Sequence, residues 1–183
     1  MSFLINPFAF AVAGGDFEPI ATITVASGGA SSIEFTSIPS TFAHLQIRGV
    51  TKDTAGPNYY SCAVQFNSDT TSANYATHIL QGNGSSASAN GYTATGGIYS
   101  PVNPGSSSTY FGAAVLDILD YASTSKNTTV RSLDGHDQNG SGVVRIVSGV
   151  WLSSSAVTSI KILAGNTAFA QHSTLALFGV KAP

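Results

Sequence analysis

Imidazoles, carboxylates and tyrosines are the side chains in this sequence from which chemistry could be built. The four histidines, His44, His78, His136 and His172, could act as bases or metal ligands near neutral pH. None shares a frame with a nucleophile. The sequence holds no Gly-x-Ser-x-Gly elbow, no His-x-x-x-His pair and a single cysteine, Cys62, so neither an activated serine nor a zinc set is spaced for work. The run Asp134-Gly135-His136-Asp137-Gln138-Asn139-Gly140 is rich in oxygen ligands. It lacks the alternating ligands and closing glutamate of a calcium loop, and Asp or Asn beside Gly more simply builds a turn. Asp117 and Asp120 are the best-placed carboxylates for acid–base cleavage of a polysaccharide, yet their position at a strand end suits termination of that strand. No Gly-Lys-Ser or Gly-Lys-Thr phosphate loop occurs. The expectation is therefore no catalytic, cofactor-binding or metal-ligating set, and a protein that is not an enzyme.

Binding is a different matter. Tyr59, Tyr60, Tyr75, Tyr92, Tyr99 and Tyr110 fall in the middle of the chain. Rings with polar tips suit a glycan platform or a subunit contact, and Tyr92, Tyr99 and Tyr110 are the candidates for it. The second candidate is the uncharged leader Met1 to Val12, in which Phe3, Leu4, Ile5, Pro7, Phe8 and Phe10 precede the hinge Gly14-Gly15. It is too short to span a bilayer, which needs about 20 apolar residues, and no Lys or Arg precedes Arg48 to make a secretory signal. Two roles remain for it: an arm that docks on a partner, or an extra strand that covers the domain's own edge.

Alternation positions these residues. Ile23 and Val25, Ile33 and Phe35, Leu45 and Ile47, Val64 and Phe66, and Ile160 and Ile162 each straddle polar neighbours, the period of a half-buried strand. Turn clusters separate them at Ser27-Gly28-Gly29, Asp53 to Pro57, Asn67-Ser68-Asp69, Gly135 to Gly142 and Gly165-Asn166. No window keeps a helical stripe. Eight to ten strands at this spacing predict an all-β, antiparallel sandwich of jelly-roll-like form, with an arm at 1–15 and the sandwich at 16–183. Gln81 to Ser108 is Gly/Ser/Asn-rich and reads as a long loop, either functional or mobile or simply a solvated surface segment. Phe111 to Leu119, Val143 to Trp151 and Leu175 to Val180 are apolar on both faces. Strands of that kind supply more hydrophobic surface than one core uses, so a homo-oligomer is expected, a trimer before a dimer.

Charged residues make up 9% of the chain, far below the ~25% of ordinary domains, while 43% are hydrophobic and fall in regular runs. The chain is therefore expected to fold. With a net charge of −2 and scattered cations it offers neither a nucleic-acid stripe nor a polybasic membrane anchor. Cys62, inside an apolar run, is expected to be a small buried hydrophobe, and a single thiol suits a reducing cytoplasm.

The phrases Ser37 to Arg48, Gln65 to Thr70, Asn74-Tyr75, Asp120 to Thr124 and Asn127 to Ser132, with the leader's Ile5 to Phe10, resemble a group of small virion structural proteins of tailed bacteriophages. The resemblance spans most of residues 18–181. It implies a β-sandwich accessory protein of the particle, on the head or on the tail, with no active site. The expected function is capsid decoration or cementing, with the major capsid protein or other virion proteins as partners and the virion, assembled in the host cytoplasm, as its location. A tail or fibre module binding a host-surface glycan or receptor is the alternative.

Overall fold

The computed structural model describes residues 15–105, 107 and 109–182. Within them lie twelve strands and a single 3-10 turn, Ser72–Asn74. The strands are β1 (Phe17–Thr24), β2 (Ser32–Phe35), β3 (His44–Thr51), β4 (Tyr59–Phe66), β5 (Tyr75–Gly82) and β6 (Ala87–Thr93). They continue as β7 (Ile98–Pro104), β8 (Gly112–Leu119), β9 (Thr128–Asp137), β10 (Gly142–Trp151), β11 (Ile160–Leu163) and β12 (Thr174–Val180). Two antiparallel sheets face one another, an eight-stranded one ordered β1-β12-β3-β8-β9-β10-β5-β6 and a four-stranded one ordered β2-β11-β4-β7.

The pairing is nested. β5 pairs β6, β4 pairs β7, β3 pairs β8, β2 pairs β11 and β1 pairs β12. A long hairpin rolled on itself gives this pattern, with successive pairs falling on alternate sheets, and the β9–β10 hairpin is added between β8 and β5. The result is a jelly-roll-like sandwich with one enlarged sheet.

Local chemistry fixes the turns. Asn67 and Ser68 both take positive φ (51° and 58°), a tight turn that sends the chain from β4 of the small sheet towards β5 of the large one. Asp69 N closes it on Phe66 O at 2.9 Å, and Asp69 Oδ1 then caps Thr71 N at 2.8 Å. Its other oxygen accepts from Asn74 Nδ2 at 2.7 Å and from Trp151 Nε1 at 2.8 Å. The bonds from Trp151 and Asn74 hold the Asp69 carboxyl down, from 3.8 to about 2. A depressed folded-state value means the ionised group stabilises the fold above its ordinary titration range, and that this support is lost as pH falls towards 2. The melting temperature should therefore decline between about pH 4 and pH 2, and Asp69→Asn should flatten part of that decline. An identical acid profile in the variant would show that Asp69 is not coupled to folding.

Three sequence expectations need correction. The strand number is twelve rather than eight to ten, and Gln81 to Ser108 is not a long loop, because it carries the end of β5, all of β6 and all of β7. β6 is exposed at every position and so has no inside–outside alternation to read. β7 contains Pro101 and Pro104, which argue against a strand, but it lies at the edge of the smaller sheet, where a missing donor is tolerated. The turn read at Gly135 to Gly142 is also shorter. β9 runs on to Asp137 and β10 starts at Gly142, so the reversal is confined to residues 138–141.

The core lies between the sheets. Leu45, Ile118, Val130, Val147 and Leu177 of the large sheet meet Ile33, Val64, Phe66, Ile98 and Ile162 of the small one. Cys62 is fully buried there, and burial pushes its thiol upward, as a small inert hydrophobe requires. Trp151 is 3% exposed and packs on Phe66, with ring centroids 5.6 Å apart. One part of the interior is polar. Arg145 Nε donates to Asp134 Oδ1 at 2.7 Å, Arg145 Nη1 donates to Ser61 Oγ at 2.7 Å, and Ser100 and Ser132 hydroxyls reach Asp134 Oδ2 at 2.9 and 3.1 Å. Among the described residues no helix is long and apolar enough to cross a membrane.

Candidate functional site

The outer face of the eight-stranded sheet is where the side-chain pattern departs from that of a solitary sandwich. Along β9 the inward positions are Thr128, Val130, Ser132, Asp134 and His136, so Leu133 must point out. Along β10 the inward positions Val143, Arg145, Val147 and Trp151 leave Val144 and Ile146 outside. At this level an ion pair is buried while three large aliphatic side chains stand more than half exposed: Leu133 at 57%, Val144 at 58% and Ile146 at 55%.

Register makes these residues continuous. Val115 of β8 lies opposite Leu133, Leu133 opposite Ile146, and Ile146 opposite Leu80 of β5, which is 53% exposed. Directly opposed residues share a face and touch, so the four form one apolar row across four strands. Ala89 of β6 extends the row at one end, and Arg48 of β3 stops it at the other. The next row, Val50, Ala113, Gly135, Val144 and Gly82, is also uncharged, and its two glycines leave shallow ground beside Val144.

The row on the other side is polar. It runs Gln46, Asp117, Arg131, Ser148 and His78. Its charges are answered locally. Arg131 Nη2 donates to Asp117 Oδ2 at 3.1 Å, and Gln46 Nε2 donates to Asp117 Oδ1 at 2.6 Å. Arg48 donates to Gln46 and lies over the ring of Phe17, 4.5 Å from its centroid. The face is thus an apolar strip whose margin pairs Asp117 with Arg131, while the Arg48 cation lies over the Phe17 and Phe178 rings rather than against a carboxylate. A surface of that kind has a dry centre and a polar rim.

The carboxylates expected at the end of β8 do not form an acid–base pair. Asp117 belongs to the polar margin just described. Asp120, in the turn at φ 50°, is tied to Lys126, which holds its carboxyl below the usual range, and its backbone N–H donates to His44 Nδ1 at 3.0 Å. The 134–140 run is also split. Asp134 faces inward to Arg145, His136 meets the Tyr59 ring at a tilt with centroids 5.3 Å apart, and Asp137 faces solvent. Burial pushes His136 below the ordinary imidazole range. Among the described residues no three His, Cys, Asp or Glu side chains are grouped to hold a metal ion.

Of the candidate tyrosines, Tyr92 and Tyr99 come together edge to face, 5.5 Å between centroids, where β6 approaches β7. Tyr110 does not join them. It precedes Gly112, at the end of β8 that pairs with Thr51, whereas Tyr92 is level with Thr77 and, through Gly149 and Val130, with Ile118 near the other end of β8. The leader residues Phe3, Leu4, Ile5, Pro7, Phe8 and Phe10 lie outside the described residues. Sequence reading found β8 and β10 apolar on both faces but missed Leu80, whose neighbours His78 and Gln81 hid it, and missed that Arg145 points inward. The signal was available: in Val143 to Val147 the arginine shares parity with Val143 and Val147. No family model and no curated protein sequence matches the chain.

Proposed function

We propose that this chain is a non-enzymatic structural protein of a tailed-bacteriophage virion that decorates or cements the capsid as a homo-oligomer. The observation that carries this reading is the apolar row Val115–Leu133–Ile146–Leu80, beside a margin in which Asp117 pairs with Arg131. With Val50 and Val144, the exposed parts of these side chains come to roughly 500 Å², towards the upper end of the largest apolar patch on an ordinary monomer. A stable interface needs about 800 Å² per partner, so the strip supplies its dry centre and the polar margin its rim. The scarcity of charge also suits a surface packed against many copies of other proteins, because hydroxyls are cheaper to cover than ions. The phage phrases in the sequence give the assembly its setting. The major capsid protein is the partner in that setting, and the leader is the arm that ties a subunit to its neighbour.

Light scattering at micromolar concentration should give a mass of several chains. Leu133→Asp combined with Ile146→Asp should reduce it to one chain while the far-ultraviolet β spectrum persists, since both side chains are already wet in the isolated subunit. A wild-type mass of a single chain would sink the homo-oligomer. Copy number in purified particles separates decoration from the fibre alternative, which the exposed Tyr92, backed by the half-buried Tyr99, favours as a glycan contact. A cement protein follows the shell lattice, whereas a fibre module is present in a few copies per tail.

A further inference from the structure

Two sheets have four edges, and here three of them are blunted. β1 carries Pro19, a register shift between Pro19 and Ala21, and Glu18 facing Lys181 at 3.2 Å. β2 has four residues, one of them Glu34, which faces Lys161. β7 carries Pro101 and Pro104, which remove two donors. These are the devices by which edges avoid pairing with other chains. β6 has none of them. Its seven residues, Ala87–Thr93, contain no charge and no proline, run in unbroken register with β5 and are exposed at every position. An open ladder of that length is a template for one more strand.

Two features of β6 point to the occupant. Its residues from Ala87 to Gly91 are all small, so an added strand with large side chains could lean over the edge. On the outer face Ala89 also ends the apolar row, beside Leu80. The leader supplies the matching chemistry: it is uncharged, and in an extended strand Leu4, Phe8 and Phe10 share a face. On β6 that face would carry the apolar row onward past Ala89. Pro7 is compatible with an outermost strand.

A chain's own leader does not reach. β1 and β6 are opposite edges of the sheet, seven interstrand spacings apart, or about 33 Å. If residues 3–10 lie along β6, the six residues 11–16 must bridge that gap, and fully extended they span about 20 Å. We propose that β6 accepts residues 3–10 of a neighbouring copy as a ninth strand, so that subunits are joined by strand exchange. This rests on the reading that the chain assembles with copies of itself, and it names the segment that joins them. The neighbour that covers the apolar face delivers its leader to the rim of that face, and both contacts belong to one interface.

Two full-length variants test it by light scattering, with the β spectrum recorded as a control on folding. Phe8→Asp with Phe10→Asp spoils the leader and keeps the edge. Ala87→Lys with Ala89→Lys spoils the edge and keeps the leader. Each alone should lose the oligomer at micromolar concentration. Mixed in equal amounts they should form a two-chain species, because one intact leader meets one intact edge. Wild-type mass in the leader variant would overturn the exchange while leaving self-assembly standing, with β6-to-β6 pairing as the replacement if the edge variant falls apart. A mixture that stays single-chain would also overturn it. A single-chain wild type would overturn self-assembly itself.

Discussion

Asp134→Ala should lower the unfolding free energy by about 3–5 kcal/mol, measured by denaturant titration of the β spectrum. The Asp134 carboxylate is fully buried, and the Arg145 side chain beside it is 1% exposed. Taking two ions out of water is costly, and their attraction offsets the cost only while both are present and bonded. Removing Asp134 leaves a guanidinium in the core with Ser61 as its remaining hydrogen-bond partner. Ser132 loses its acceptor at the same time, and Ser100 is left with Ser132 alone. The effect should come from the stranded charge rather than from lost attraction, and a double variant separates the two. Asp134→Leu with Arg145→Met removes both ions and should cost well under the sum of the single losses. A loss below about 1 kcal/mol for Asp134→Ala would mean that water reaches Arg145 in the native state.

That ion pair also marks the boundary of what the sequence disclosed. Alternation is legible where one face is wet and the other dry, so Ile33 and Phe35, Leu45 and Ile47, and Ile160 and Ile162 were assigned correctly to the core. Val143 to Trp151 announced that both faces of β10 are apolar, but not which face takes Arg145. A charge is assigned outward by default, and here Val147 and Trp151 set the opposite parity. That inversion, three exposed aliphatics outside and an ion pair inside, makes the surface that the proposed assembly would cover. β6 was illegible for a different reason. A strand exposed throughout, with Ala, Ser, Asn and Gly ahead of Tyr92 and Thr93, has no inside–outside period and few of the residue types by which strands are recognised, and it exists because β5 offers it a ladder.

Trp151→Ala should cost about 3–5 kcal/mol as well, by a route that separates folding from assembly. From sequence alone Trp151 could have belonged to the core or to a subunit contact. Its 3% exposure, its packing on Phe66 and the 2.8 Å bond from Nε1 to Asp69 put it in the core, where it locks the end of β10 to the turn after β4. Truncation opens a cavity the size of an indole and removes a donor from the Asp69 carboxylate. Trp151→Phe keeps most of the volume and loses the bond, so it should cost less, about 1–2 kcal/mol. Neither change touches the outer face, and chains that remain folded should keep the mass of the wild type. The outer-face pair Leu133→Asp and Ile146→Asp should do the reverse, leaving the stability of the single subunit nearly unchanged and removing the oligomer. If Trp151→Phe instead dissociated the oligomer without loss of stability, the tryptophan would be an interface residue. The inner and outer faces of β10 would then have to be exchanged, and the apolar row with them.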